Sequence, residues 1–186
     1  MNIKEDLIRH YLWLRRYGVN DSHSGNISAR ENNLFWVSPT GACADSLSID
    51  ELVQCSVETR LPEGASLDAR LHQLVYQKNS QAQAVVHSHG PHIVALTMNG
   101  KDYIPPDFEG QYYFPRVPVL TINYARCIQE AAEKVSDVLA EFPVAIVRGH
   151  GVYAQGTSLN LAYKWSCSLE LSAKTSFIAQ QAGLSN

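Results

Sequence analysis

The apolar run Ala84-Val85-Val86 ends in His87-Ser88-His89, and this joint constrains the chain more than any other stretch. A short apolar run bounded by polar residues reads as a buried strand. In a strand, residues i and i+2 share a face, so the two imidazoles stand side by side at the strand's end. Two neutral imidazoles aimed at one point are half of a tetrahedral or octahedral metal site. A third histidine, His150, follows a second apolar run, Val144 to Val147, in the sequence Arg148-Gly149-His150-Gly151. Glycines on either side let the backbone approach such a site closely. Three histidines at the ends of two strands would hold a catalytic metal and leave positions open for a substrate. The plainer alternative is a strand end whose polar residues are satisfied locally. His92, three residues after His89, is a further candidate ligand, although it reads as part of the following helix.

The length of 186 residues suits one domain spanning 1–186. A hydrophobic share of 45% is enough to fill its core. A net charge of −3 and a charged share of 18% argue against a basic, nucleic-acid-binding face. No apolar run approaches the roughly 18 residues that a membrane span requires. The N-terminal segment Met1 to Asp6 lacks the apolar centre of a signal peptide, so the expected location is the cytoplasm. Cys43, Cys55, Cys127 and Cys167 are dispersed, with no C-x-x-C pair, and read as reduced thiols rather than ligands.

Hydrophobic periodicity places helices at Ile3 to Tyr17, Leu67 to Gln77, Pro91 to Met98, Arg126 to Glu141 and Leu159 to Gln181. The fourth has Ile128, Ala132, Val135, Val138 and Leu139 inward, and the fifth has Ala162, Trp165, Leu169 and Ala173. Ser48-Ile49-Asp50-Glu51 has capping-box spacing and predicts a short helix. Strands are predicted at Ile27 to Arg30 and Leu34 to Val37 as a hairpin, and at Leu52 to Val57, Ala84 to Ser88, Val117 to Ile122, Val144 to Val147 and Val152 to Ala154. The stretch from Lys101 to Pro118 reads as irregular. Interleaved helices and strands imply an α/β or α+β class around one central sheet.

Two further groups could carry chemistry. Ser24-Gly25-Asn26-Ile27-Ser28 and Ser38-Pro39-Thr40-Gly41 are hydroxyl-rich turns beside strands. Exposed N–H groups in such turns bind phosphate or carboxylate without a basic side chain, although hairpin turns alone would look the same. Ser66-Leu67-Asp68-Ala69-Arg70-Leu71-His72 covers the start of a helix. Asp68 there is either a simple cap or a general acid/base facing the metal, and His72 shares its face as a packing or supporting histidine.

These groups occur together and in order: G-N-I-S at 25–28, S-P-T-G at 38–41, an acidic residue before L-H at 68–72, H-S-H-G at 87–90 and the glycine-flanked His150. In this the chain resembles the class II aldolase/adducin family over nearly its whole length. The family includes L-fuculose-1-phosphate and L-rhamnulose-1-phosphate aldolases, L-ribulose-5-phosphate 4-epimerase and methylthioribulose-1-phosphate dehydratase. The resemblance implies a three-layer α/β/α fold with a central, mostly antiparallel sheet. It also implies a homotetramer with active sites between subunits. A divalent metal, usually Zn2+, would be held by His87, His89 and His150. Gly25, Asn26, Thr40, Gly41 and Ser66 would contact the substrate or its phosphate, and Asp68 would be the acid/base carboxylate.

The implied reaction is metal-dependent cleavage of a small ketose or hydroxy-keto substrate, expected to be a sugar phosphate, through a metal-stabilised enediolate. Epimerisation, dehydration or decarboxylation could use the same site, and the adducin branch uses the fold for cytoskeletal assembly without a metal. The sequence departs from the family pattern in three places. Asp68 stands where the aldolases usually carry Glu. Leu67 stands where a second serine is common, removing one hydroxyl. The segment before Val117 does not match the family's tyrosine or aspartate placement, leaving Asp107, Glu109, Tyr112 and Tyr113 as candidates for a second acid/base group, from the same or a neighbouring subunit. The chain ends soon after its last helix, so the C-terminal extension that helps cover the site in several aldolases is not expected.

Overall fold

The computed structural model describes residues 2–184, without the side chains of Cys127 and Ile128. The first helix, α1 (Ile3–Arg16), starts where the Asn2 side chain accepts the Lys4 N–H. Glu5 and Asp6 lie in its first turn and Arg15 and Arg16 in its last, matching the helix dipole. It buries Leu7, Tyr11 and Leu14 along one stripe. The hairpin β1 (Asn26–Glu31) and β2 (Leu34–Val37) turns at Asn32, whose φ of 58° suits an asparagine. Then follow β3 (Val53–Ser56), α2 (Ala69–Lys78), β4 (Ala84–Ser88) and α3 (Pro91–Leu96). The second half carries α4 (Phe108–Tyr113), β5 (Val119–Leu120), α5 (Cys127–Glu141), β6 (Val144–Val147), β7 (Gly151–Gly156) and α6 (Leu159–Gln181).

The seven strands form one sheet in the order β3-β2-β1-β4-β7-β6-β5. All neighbouring pairs are antiparallel except β5 with β6. Strand side chains alternate between the two faces. Phe35, Val37, Cys55, Val85, Ala145, Val147 and Tyr153 pack with α2 and α5 on one face. Ile27, Ala29, Ala84 and Val86 pack under α1 and the start of α6 on the other. Val144, Ile146, Val152 and Ala154 continue that second layer beneath α3 and Leu169 and Ala173 of α6. The result is the three-layer, mostly antiparallel α/β arrangement that the family resemblance implies.

Several boundaries differ from expectation, each for a local reason. The region 101–118 is not wholly irregular, because Asp107 accepts the Gly110 N–H and starts the short α4. The expected strand from Val117 shrinks to Val119–Leu120; Pro118 has no N–H to give a ladder, and Val117 pairs instead with Tyr103. The capping box at Ser48 yields a single 3-10 turn, with Glu51 reaching back to the Ser48 N–H. Cys43, Cys55 and Cys167 are free thiols, and the side chains of Cys127 and Ile128 lie outside the described residues. Among the described residues, no helix is long and apolar enough to cross a membrane.

Candidate active site

Register builds the site. Asn26 of β1 faces His87 of β4, and His87 faces Tyr153 of β7. These three side chains therefore form one row across three adjacent strands, on the face covered by α2 and α5. Gly25, just before the row, has φ +70°, and a Cβ there would lie 2.4 Å from the His87 carbonyl oxygen. Gly151 has an equally tight role: a Cβ would lie 2.4 Å from the Ser88 carbonyl and 2.9 Å from the His87 ring. The glycine after His150 is thus what lets β7 close on the histidine pair.

His87, His89 and His150 each offer a ring nitrogen, and these atoms lie within 4.8 Å of one another. The Nε2 atoms of His87 and His150 are 3.0 Å apart. His87 Nδ1 lies 3.0 Å from the Val152 carbonyl, which can only accept, so Nδ1 carries the proton and Nε2 keeps its lone pair. His89 Nδ1 lies 3.3 Å from Asn20 Oδ1, which also accepts the His89 main-chain N–H at 2.9 Å. Burial above all, with further lowering by the other two rings, pushes His87 down to about 3. Burial and then His150 push His89 down to about 4. Three imidazoles this close together, two of them with the other ring nitrogen held by an oxygen acceptor, suit a divalent cation. His92 is elsewhere: its Nδ1 lies 2.6 Å from Glu170 on α6.

Asp68 occupies the N-cap position of α2, but its side chain makes no capping bond. It turns instead over the row, where Oδ2 accepts from Asn26 Nδ2 at 2.8 Å and from Tyr153 Oη at 3.2 Å. The same oxygen stands 3.9 Å from His87 Nε2. Burial raises the Asp68 carboxyl, but His87, Asn26, His72 and Tyr153 together outweigh it and hold it below its ordinary value. Beneath it, His72 Nδ1 meets Ser28 Oγ at 2.7 Å, and Ser28 meets Tyr76 Oη at 2.6 Å. The buried histidine is thus a supporting residue.

A cavity of about 540 Å³ opens over this centre. It is lined by the residues expected to hold the metal, the substrate and the acid/base carboxylate: Gly25, Asn26, Thr40, Gly41, Ser66, Asp68, His87, His89 and His150. The turn at 38–41 is fastened to the α2 entry, since Thr40 Oγ1 donates to the Ala65 carbonyl at 2.8 Å and Pro39 bridges to Ala65. Ser66 Oγ accepts the Asp68 N–H at 3.2 Å. Leu67 and Tyr124 sit at the rim, 66% and 96% exposed. Asp107, Glu109, Tyr112 and Tyr113 do not line the cavity. Asp107 caps α4 and accepts the Ser172 hydroxyl, and Tyr113 packs on Trp165. Sequence reasoning missed Tyr153 and Asn20. Alternation from His150 gave no hint of either, because each depends on pairing distant segments.

The ordered motifs and this geometry agree with a family-wide comparison. Residues 5–177 match the model of the class II aldolase and adducin N-terminal domain. The chain belongs to this family. An L-fuculose phosphate aldolase from Methanococcus vannielii is 27% identical, covering 96% of this chain and 97% of its own. L-ribulose-5-phosphate 4-epimerase UlaF from Salmonella paratyphi C is 26% identical, covering 96% and 85%. A crystal structure of L-fuculose-1-phosphate aldolase from Thermus thermophilus superposes with a TM-score of 0.91 at 29% identity, covering 99% of this chain and 97% of that one. The chain is an enzyme of the class II aldolase superfamily, whose relatives also include proteins named 3-oxo-tetronate 4-phosphate decarboxylase and methylthioribulose-1-phosphate dehydratase.

Proposed function

We propose that this protein is a metal-dependent lyase that cleaves a small ketose phosphate by a retro-aldol reaction. The observation that carries the reading is the Asp68 carboxylate, 3.9 Å from a nitrogen of the three-histidine cluster, at the edge of the same cavity. His87, His89 and His150 would hold the divalent cation, Zn2+ by preference for three imidazoles. Bound there, the cation supplies Lewis acidity to the carbonyl side of the substrate. Asp68 takes the substrate hydroxyl proton as the carbon–carbon bond breaks and returns a proton to the new carbanionic carbon. Asn26, held against Asp68, orients the substrate's oxygens. Gly25, Thr40, Gly41 and Ser66 receive the phosphate at the start of α2, where free N–H groups favour an anion.

A second reading keeps the site and changes the outcome to epimerisation, dehydration or decarboxylation. Aspartate at position 68, about one methylene shorter than glutamate, and the varied names among the relatives favour it. One domain carries the activity. A homotetramer in the cytoplasm, with the exposed Leu67 and Tyr124 rims meeting neighbouring subunits, completes the proposal. The deciding experiment is a panel of ketose 1-phosphates and 5-phosphates incubated with Zn2+, with product analysis. Release of an aldehyde and a ketone fragment supports cleavage. An isomer or dehydrated product with no fragment transfers the assignment to the second reading. Loss of turnover on chelation is expected in either case, and His89→Ala retaining full turnover would refute the ligand set.

A further inference from the structure

The cavity over the three histidines is short of donors for the phosphate it is proposed to take. Thr40 gives its hydroxyl proton to the Ala65 carbonyl at 2.8 Å, and its N–H goes to the Gly64 carbonyl at 3.2 Å. The Ala42 N–H turns back to the Pro39 carbonyl at 3.2 Å. Asn26 turns its amide nitrogen to Asp68. Leu67, beside Ser66 at the rim, has no polar atom in its side chain. Among the described residues that line the cavity there is no lysine or arginine. Phosphate recognition draws its strength from charge-assisted hydrogen bonds, so a further donor is called for.

His23 can supply it. It lines the same cavity and, the three-histidine cluster apart, is the described lining residue whose side chain becomes a cation on protonation. Its place is set by the loop around it. The Ser22 carbonyl accepts the Ala44 N–H at 2.8 Å. The Tyr11 hydroxyl lies 3.3 Å from the Ser24 carbonyl oxygen and 3.4 Å from those of Gly25 and Ala42. These contacts lay the loop at 22–25 along the turn at 39–44, so His23 stands beside the turn proposed to receive the phosphate. Asp21 accepts the main-chain N–H groups of His23 and Ser24, each at 2.8 Å, so the loop holds its shape without help from the His23 ring. Within the ring, Nδ1 lies 2.9 Å from Ser22 Oγ. Where the serine hydroxyl donates to Nδ1, the ring's own proton sits on Nε2, and a protonated ring carries an N–H there as well. Both forms turn Nε2 into a donor, and the protonated form adds positive charge. We infer that His23 is an anion-binding residue of this cavity, gripping the substrate's phosphate through Nε2. The inference rests on the sugar-phosphate reading above and deepens it, by giving the phosphate a side-chain partner outside the G-N-I-S and S-P-T-G motifs and the α2 entry.

Inorganic phosphate is the probe, because its binding needs no turnover. The full-length protein is titrated by calorimetry, loaded with Zn2+ and again after chelation. His23→Ala is expected to weaken phosphate binding by on the order of tenfold in both states, the loss of one hydrogen bond to a charged group. His23→Lys returns a cation at that place and is expected to restore most of the affinity. His23 is exposed, and the loop's own bonds run to its main chain, so both variants should melt with the parent. Phosphate affinity within about twofold of the parent in His23→Ala would overturn the role of His23 and leave a phosphate site standing. A loss confined to the Zn2+-loaded protein would place the phosphate on the metal and overturn it equally. A parent protein that binds no phosphate overturns both His23 and the phosphate site. Failure of every ketose phosphate as substrate, with inorganic phosphate still bound through His23, would sink only the lyase reading.

Discussion

Asn20→Ala is expected to loosen the metal centre while leaving the fold standing. Asn20 is 7% exposed, in the bend after α1, and its Oδ1 faces both the main-chain N–H and the Nδ1 of His89. The two losses differ in kind. The His89 N–H also reaches the Val19 carbonyl at 3.0 Å, so the backbone retains a partner. The imidazole loses the acceptor that fixes its tautomer and ring angle. Loss of such an outer partner typically weakens metal binding by roughly 10- to 100-fold, which is about 1.4–2.7 kcal/mol. The cost to folding is about 1–2 kcal/mol, for one shared hydrogen bond and a small void. Asn20→Asp is the control, because it keeps the accepting oxygen. The amide nitrogen it replaces is buried with no hydrogen-bond partner among the described residues, so that exchange breaks no bond. The assay is Zn2+ titration against a chromophoric chelator, run beside urea unfolding of the metal-free proteins. A folded Asn20→Ala protein whose Zn2+ affinity stays within about twofold of the parent would refute the argument, since an oriented ligand cannot lose its orienting partner at no cost.

Three other outcomes are expected. Gly25→Ala should destabilise by more than about 3 kcal/mol in urea, because the left-handed backbone costs about 1–2 kcal/mol and the added Cβ meets the His87 carbonyl, a backbone atom that cannot swing away; a loss under about 1 kcal/mol would show that the turn relaxes. Acid should weaken the metal-free protein between pH 6.5 and about 4, the range over which burial holds His72 neutral while the unfolded chain takes up the proton. In that window the unfolded state binds more protons, so stability rises with pH and is lost on acidification, by up to about 3 kcal/mol for this one group. His72 Nε2 has no partner among the described residues to receive a second N–H, and His72→Gln should flatten the slope; an unchanged slope would assign it to other groups. Zn2+ at about 100 times its Kd should add about 2.7 kcal/mol of stability, read as a rise in melting temperature. His89→Ala should erase that rise, and a melting temperature indifferent to both Zn2+ and chelator would argue against a bound cation.

What can be read from the residues alone is whatever is encoded within a few positions. H-S-H at a strand end, the glycine-flanked His150 and two hydroxyl-rich turns are local patterns, and His87, His89, His150, Gly25, Asn26, Thr40 and Gly41 from them line one cavity. The long helix at 159–181 is legible because its period repeats for many turns, whereas α4 has six residues and a glycine among them, too few for any period to show. Its acidic and aromatic residues look available for chemistry only because nothing in the sequence reveals that Asp107 caps the helix or that Tyr113 packs on Trp165. Tyr153 is the more instructive omission. The segment Val152 to Ala154 reads as a strand and is one, but alternation allows Tyr153 either face until its partner strand is known. The pairing of His87 with Tyr153, from distant parts of the chain, supplies that face. A slip of one residue between β4 and β7 would send Tyr153 to the opposite layer and bring Val152 or Ala154 against His87. Gly151 is the residue that forbids the slip from one side, because any other residue brought to its place would carry a Cβ into the Ser88 carbonyl and the His87 ring. The glycine beside the third histidine therefore does two things at once: it admits the backbone to the three-histidine cluster and it fixes the register that sets a phenol against Asp68.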